Sequence, residues 1–274
     1  AGLWLTGFFV IALLAVFLGY ILIKGLPVLS WNFIIGQSSD ITAGGGVGAQ
    51  FFNTFYILFL SLLVAAPIAI GAGIYLAEYS GRGRLADAIR LSVECLASVP
   101  SIVLGLFGMI VFINIMGFGI SLGVGAMTLA LMNLPVIVRV TEEALKTVPK
   151  EYRDASLALG ATKWQTISRV VLPSAMPGII TGITLTAGRA VGETAILIFT
   201  AGTTVSRSIP DFSLSAGGET LAVHMWYVMA IGLVPDRIDK ANGTAALLIL
   251  MILLFNLGLA SGSKYIRRWM TGVQ

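Results

Sequence analysis

Long apolar runs dominate this chain of 274 residues and limit what it can fold into. A helix needs about 20 apolar residues to cross the hydrocarbon core of a bilayer. Because 57% of the residues are hydrophobic and only 11% are charged, no soluble fold of this size could bury the apolar surface. We therefore predict an all-α integral membrane protein with one transmembrane domain over residues 1–274. Its six predicted spans are residues 3–23, 52–77, 95–116, 122–140, 175–200 and 245–262.

The uneven distribution of Lys and Arg predicts how these spans are oriented. The loops after the second and fourth spans, together with the tail after the sixth, carry twelve basic residues, whereas the loops after the first and fifth spans carry four. Basic residues accumulate on the cytoplasmic side of membrane proteins, so both termini are predicted to be cytoplasmic in a prokaryotic cell membrane. The same rule explains the net charge of +4, and no nucleic acid partner is predicted. Ala1 is not a natural start, so we expect further residues before it.

A segment of mixed polarity, residues 147–173, separates the fourth and fifth predicted spans. Gly160 can end a helix in the left-handed conformation, so we predict a helix over residues 150–159. Thr162 and Gln165, three residues apart, form the capping-box pattern that starts a second helix. A helix as short as the first is marginal in water, which favours docking against a partner.

This segment carries a spaced signature. It follows EAA-x3-G-x9-I-x-LP, with Asp for Glu, Ser for the second Ala and Val for Ile, and so resembles the coupling loop of importer-type ABC permeases. The alternative is a generic amphipathic re-entrant loop between two membrane helices. The positions that match are Asp154, Ala155, Ser156, Gly160, Val170, Leu172 and Pro173.

The resemblance implies that the segment docks a separate ATPase on the cytoplasmic side. This side agrees with the orientation predicted from the basic residues. The residues to which it assigns the ATPase contact are Glu151, Tyr152, Asp154, Ala155, Ser156, Leu159 and Gly160.

Two ionisable residues lie in the middle of the fifth predicted span. Arg189 and Glu193 are four residues apart, which would place them on one helical face within reach of each other. An ionisable side chain at this depth costs about 2.5–3.5 kcal/mol or more, so it has to face the bundle interior or water. One interpretation is a structural ion pair that holds the span in place. The other is an anion pathway in which the Arg189 guanidinium attracts an oxyanion and Glu193 tempers the attraction.

Other residues near the predicted cytoplasmic side have less certain roles. Arg139, at the end of the fourth span, either extends to the membrane interface or belongs to the same substrate pathway. Pro100 predicts a kink near the start of the third span, close to Glu94. The single cysteine, Cys95, is predicted to be a small buried hydrophobic residue.

Two segments on the other side are predicted to lie outside the spans. Residues 25–50 contain four glycines between positions 44 and 48 and are predicted to form a flexible linker. Residues 221–232 are apolar but too short to cross a bilayer, which favours an interfacial or re-entrant helix. The only histidine, His224, lies in this run and is interpreted as structural rather than metal-binding, because no second ligand accompanies it.

Four further stretches resemble the PstA subunits of phosphate importers: residues 67–79, 99–108, 134–145 and 189–200. This resemblance implies an importer-type ABC permease fold with six transmembrane helices, inorganic phosphate as cargo and no enzymatic activity in this chain. It also implies a PstC-like second permease, a PstB-like ATPase dimer and an extracytoplasmic phosphate-binding protein. No Walker motif occurs in the sequence, so no cofactor is expected here, and ATP and Mg²⁺ are expected in the ATPase.

Three alternatives to phosphate import stay open at this point. The coupling signature does not define the cargo, so a permease for sulfate, molybdate or phosphonate would share it. An ion-coupled secondary transporter or a channel could also use charge inside the membrane, but it would have no need of a coupling loop. A structural or sensory membrane subunit would have no need of charged residues facing a pathway.

Overall fold

The computed structural model describes residues 2–39, 43–80, 83–206, 209–232 and 234–271, with side chains up to residue 258. Throughout these ranges the ordered elements are helices, and no β-strand is found. This agrees with the predicted all-α fold. The helices are α1 Gly2–Gly25, α2 Trp31–Ile35, α3 Gly48–Ile74, α4 Arg84–Ser98, α5 Ser101–Gly108, α6 Leu122–Lys146, α7 Lys150–Ala158, α8 Lys163–Thr166, α9 Leu172–Val191, α10 Ala195–Thr200, α11 Leu221–Ala230 and α12 Arg237–Thr271.

Wider π-helical turns extend three of these helices. Tyr75–Tyr79 continues α3, Met109–Ile115 continues α5, and Ile167–Val171 joins α8 to α9. Such turns are frequently found at functional sites. The first of them lies beside α7, as described below.

Five helical segments are long and apolar enough to cross a membrane within the described residues. They are Gly2–Val28, Gly48–Tyr79, Leu122–Lys146, Lys163–Val191 and Arg237–Gly258. A sixth crossing is obtained only if α4 and α5 count as one span, and these two helices meet at an angle of 100°. The predicted number of spans is therefore confirmed only when this bent pair is counted as one.

The third span is not the single helix predicted over residues 95–116. Pro100 disfavours helical geometry at the residue before it, and Val99 accordingly is extended, with φ −69° and ψ 128°. The predicted kink is a complete break between α4 and α5. Cys95 therefore belongs to α4 and is exposed rather than buried, which corrects its prediction.

The fifth span also differs from the prediction of one helix over residues 175–200. Helix α9 ends at Val191, and α10 begins at Ala195. The intervening Gly192 to Thr194 leave helical geometry, so the predicted span is divided near its middle. Glu193 falls in this break.

Helices α3, α6 and α9 form the centre of the molecule. A methyl group added at Gly73 would lie 2.6 Å from Thr141 Cβ, and one at Gly182 would overlap Val140. Small residues at these positions let the helix backbones approach closely, as is common in membrane helix packing. Helix α1, in contrast, is exposed along almost its whole length and is buried only at Gly25.

The described part of the segment between α1 and α3 is more ordered than the flexible linker that was predicted. Ser30 Oγ accepts a hydrogen bond from Phe33 N (3.1 Å) and so caps α2. Gly44 N donates to Asp236 Oδ2 (2.8 Å), which ties the glycine-rich stretch to the start of α12. Burial raises the pKa of Asp236, but the Gly44 N–H and the neighbouring Lys240 outweigh that effect and lower the pKa below its ordinary value. The described part of this loop is therefore not a free linker.

Candidate functional site

The polar segment between α6 and α9 folds into the two helices predicted from its sequence. Helix α7 covers Lys150–Ala158, one residue shorter than predicted, and Gly160 follows with φ +84°. Thr162 Oγ1 accepts a hydrogen bond from Gln165 N (3.3 Å), and Gln165 Oε1 accepts one from Thr162 N (2.8 Å). The predicted left-handed glycine and capping box are both confirmed.

Helix α7 exposes most of its side chains. Tyr152 is 53% exposed and Leu159 is 90% exposed, although both are apolar enough to be buried in a protein interior. Glu151, Asp154 and Ala155 are also exposed. Ser156 is the exception within the predicted contact set, because its Oγ lies 2.9 Å from Thr166 Oγ1. It joins α7 to α8 rather than pointing away from the protein.

Arg153 fixes α7 to the ends of two long helices. Its Nη2 lies 2.6 Å from Glu78 Oε1, in the π-helical turn after α3. The same guanidinium donates to the carbonyl oxygens of Leu145 (2.8 Å) and Val148 (2.7 Å), where α6 ends. A cation beside the carbonyl groups at a helix C-terminus is favourable. Sequence reasoning missed this anchor, because Glu78 is 75 residues away along the chain.

Arg189 and Glu193 do not form the predicted ion pair. Since α9 ends at Val191, the four-residue spacing no longer places the two side chains on one helical face. Glu193 Oε1 instead accepts a hydrogen bond from Ile196 N (3.4 Å) in the first turn of α10. Arg189 is exposed at the end of α9, and its guanidinium has no ion-pair or hydrogen-bond partner among the described residues.

Arg139 lies in a different, strongly charged cluster. It is exposed and pairs with Glu143, with 3.2 Å between Nε and Oε1. Nearby, Glu142 accepts from Arg90 (3.0 Å) and from Lys146 (2.6 Å). A cavity of about 170 Å³ lies between α4 and α6, and its charged lining residues are Arg90, Glu94, Arg139, Glu142, Glu143 and Lys146.

A buried polar group that sequence reasoning missed joins α3 to α11. Glu219 Oε1 lies 2.7 Å from Gln50 Nε2 and 2.7 Å from His224 Nδ1, and all three side chains are at most 1% exposed. The carbonyl oxygen of Glu219 also accepts from Asn53 Nδ2 (3.1 Å). The lone histidine is thus held by a carboxylate from the preceding loop, which its sequence neighbourhood does not reveal.

Comparison with known proteins connects this architecture to a family. Residues 69–272 match the family described as binding-protein-dependent transport system inner membrane component. This range includes α7 and all the charged side chains described above. The chain belongs to this family. It is a membrane-embedded permease subunit of an ABC importer, a transport component with several membrane-crossing helices.

Two relatives of this permease differ in how much of it they match. The probable ABC transporter permease protein YqgI of Bacillus subtilis is 45% identical over 256 residues, which are 90% of this chain and 87% of the relative. The phosphate transport system permease protein PstA of Xylella fastidiosa is 38% identical over 178 residues, or 65% of this chain. That match spans 62% of the Xylella protein.

The fold of this permease is also found in a solved structure. A bacterial ABC transporter involved in the import of the acidic polysaccharide alginate contains a chain that aligns with a TM-score of 0.67 and covers 96% of both chains. At 15% sequence identity, this likeness supports the permease fold alone. The predicted importer-type ABC permease fold is thereby confirmed.

Proposed function

We propose that this permease forms half of the pathway of an ATP-driven importer of inorganic phosphate. The observation that carries the proposal is the guanidinium of Arg189, which is exposed beside the break between α9 and α10 without a carboxylate partner among the described residues. A guanidinium keeps its charge at any working pH and offers forked donors that match a phosphate oxyanion. The similarity to a PstA protein supports the same cargo.

The break itself supports a place for Arg189 on the pathway. Non-helical backbone at membrane depth is tolerated where it is buried in protein or lines a water-filled cavity. Glu193 caps α10, so its proposed role in the pathway is to hold the break in shape. Arg139 is proposed as a second cationic group, partly neutralised by Glu143.

The ATPase is proposed to dock on α7. The exposed residues Tyr152 and Leu159 support this role, since large apolar side chains on a short projecting helix favour burial against a partner. The partners proposed are a PstC-like second permease, a PstB-like ATPase dimer that binds ATP and Mg²⁺, and an extracytoplasmic phosphate-binding protein. Both termini are proposed to be cytoplasmic.

Uptake of labelled phosphate into membrane vesicles tests the cargo. We expect Arg189→Gln to abolish ATP-dependent uptake and Arg189→Lys to restore little of it, because a point charge lacks the forked donors. Arg84→Gln, which removes an exposed arginine at the start of α4, is the matched control and should leave uptake unchanged. The amount of assembled complex is measured in parallel.

Two results would contradict the proposal in different ways. Normal uptake by Arg189→Gln would exclude Arg189 from the pathway. Absence of ATP-dependent phosphate uptake by the unmodified transporter, together with ATP-dependent uptake of labelled sulfate, molybdate or phosphonate, would instead identify another oxyanion as the cargo. The second outcome has to be tested because the name of the Bacillus relative specifies no cargo.

A further inference from the structure

Four charged side chains join α7 to the end of α3 and α4 to α6. We call Glu78, Arg90, Glu142 and Arg153 the charged hub. Arg153 of α7 binds Glu78 through both Nε (3.1 Å) and Nη2 (2.6 Å). The second half of the hub is the pair between Arg90 of α4 and Glu142 of α6.

The π-helical turn Tyr75–Tyr79 links the two halves of the hub. Arg90 Nη2 donates to the carbonyl oxygen of Leu76 (3.3 Å), so α4 is bonded to the same turn that carries Glu78. The ammonium of Lys163, in α8, lies 4.6 Å from the centre of the Tyr79 ring. The turn after α3 therefore contacts α4 through the carbonyl of Leu76, α7 through the side chain of Glu78 and α8 through the ring of Tyr79.

Burial distinguishes the hub from ordinary surface ion pairs. The side chains of Glu78 and Glu142 are 9% and 10% exposed, whereas the Arg139–Glu143 pair on the surface of α6 is 68% and 64% exposed. Exposed pairs contribute little to stability. Removal of one partner from a buried pair leaves an uncompensated charge and is strongly unfavourable, so the hub resists separation of the helices that it joins.

We infer that the charged hub makes α7, α4 and the end of α3 move as one body, so that a displacement of α7 reaches the bent pair α4–α5. This inference rests on the proposed docking of the ATPase on α7. Glu78 and Arg153 act as positioning residues, because their ion pair holds α7 against the end of α3. The contact of Glu78 with Arg153 joins the end of α3 to α7, which makes Glu78 the point at which the motion is transmitted.

A distance measurement by pulsed electron paramagnetic resonance tests the inference without reference to the cargo. One spin label is attached to the natural Cys95, which is exposed on α4, and the other to Lys150→Cys, which is exposed at the start of α7. The intact transporter, purified through a tag on this chain, is measured free of nucleotide and after trapping with ATP and vanadate. We expect one unchanged distance in both states.

Loss of the hub should release α7 from α4. We expect Glu78→Gln and Arg153→Gln each to shift or broaden the distance distribution in the trapped state, and the double variant to do so no more than either single variant, because both remove the same contact. Glu78→Asp, which keeps the charge, should restore much of the native behaviour. Asp87→Asn, which removes an exposed carboxylate 3.5 Å from Arg90, is the control and should change nothing.

The inference is wrong if nucleotide trapping changes the distance in the unmodified protein, or if Glu78→Gln leaves the distance unchanged. Failure of the proposal that the ATPase docks on α7 is distinguished from failure of this inference by two other observations. In that case the ATPase does not co-purify with the unmodified chain, or Gly160→Val, which alters the end of α7, leaves ATP-driven transport intact. ATPase co-purification with each hub variant shows that the variant has assembled.

Discussion

At the scale of single residues, the charges of this permease fall into two groups with different surroundings. Arg153, Glu78 and Glu142 have close partners of opposite charge and are largely buried. Arg189 is exposed and has no such partner among the described residues. A paired charge stabilises a fixed arrangement, whereas an unpaired guanidinium stays available for an anion. The two groups therefore suit structural and pathway roles respectively.

The buried group around Glu219 has a measurable structural effect. Glu219→Ala leaves Gln50 Nε2 and His224 Nδ1 without their 2.7 Å partner, and each unsatisfied buried group costs about 1–3 kcal/mol. We expect a clear fall in the apparent melting temperature in detergent. Glu219→Gln should lose less, because its amide oxygen still accepts from Gln50. Asp87→Ala, at an exposed position, is the control. A melting temperature of Glu219→Ala equal to that of the unmodified protein would contradict the prediction.

The lowered pKa of Asp236 predicts a contribution to stability that depends on pH. Its folded-state pKa is lowered, against the effect of burial, by the Gly44 N–H and by Lys240. A lowered pKa adds stability at pH values above the unfolded pKa of about 3.9, and this stability is lost as pH falls through the folded pKa. Melting curves of unmodified protein and Asp236→Asn should therefore differ at neutral pH and converge in acid. A difference in melting temperature that stays constant from neutral to acid pH would exclude ionisation of the Asp236 carboxylate as the cause.

At the scale of elements, the molecule contains two helix breaks and one short projecting helix. The break before Pro100 follows from its covalent structure. The break at Gly192 to Thr194 is supported by the Glu193 cap on α10. Helix α7 is kept in place by Arg153 and Ser156 while its other side chains remain exposed. Each irregular element thus has a specific set of bonds that maintains it.

Gly160 sets where α7 ends, and its replacement tests the role of the helix. A methyl group at this position would meet no atom within 4 Å, but the φ of +84° is strained for any residue with a side chain. β-Branched residues tolerate this conformation least and asparagine tolerates it best. We expect Gly160→Val to reduce transport per ATP hydrolysed or to release the ATPase, and Gly160→Asn to retain most function. Equal transport by both variants and by unmodified protein would rule out this role.

At the scale of the whole molecule, the orientation in the membrane decides which partner meets which face. Twelve basic residues on one side and four on the other predict a cytoplasmic α7. In a Cys95→Ser background, Ser213→Cys should react with an impermeant maleimide added outside intact cells, and Lys163→Cys should react only after permeabilisation. Both native side chains are exposed. The opposite labelling pattern would invert the orientation and place α7 away from any cytoplasmic ATPase.

The features that could be predicted from the sequence depend on neighbours along the chain. The apolar runs predict the helical membrane fold, Gly160 predicts the end of α7, and the capping box at Thr162 predicts the start of α8. Pro100 predicts a kink, which the structure extends to a complete break. Each rests on interactions within about four residues, which a sequence pattern records directly.

Which charged side chains pair with one another depends on the packing of the helices. The sequence spacing favoured an Arg189–Glu193 pair, but the end of α9 at Val191 separated them. The contacts that do form, between Arg153 and Glu78 and between His224 and Gln50, join residues 75 and 174 positions apart. Such contacts depend on how helices pack against one another, and packing is set by shape complementarity across the whole bundle rather than by any local pattern.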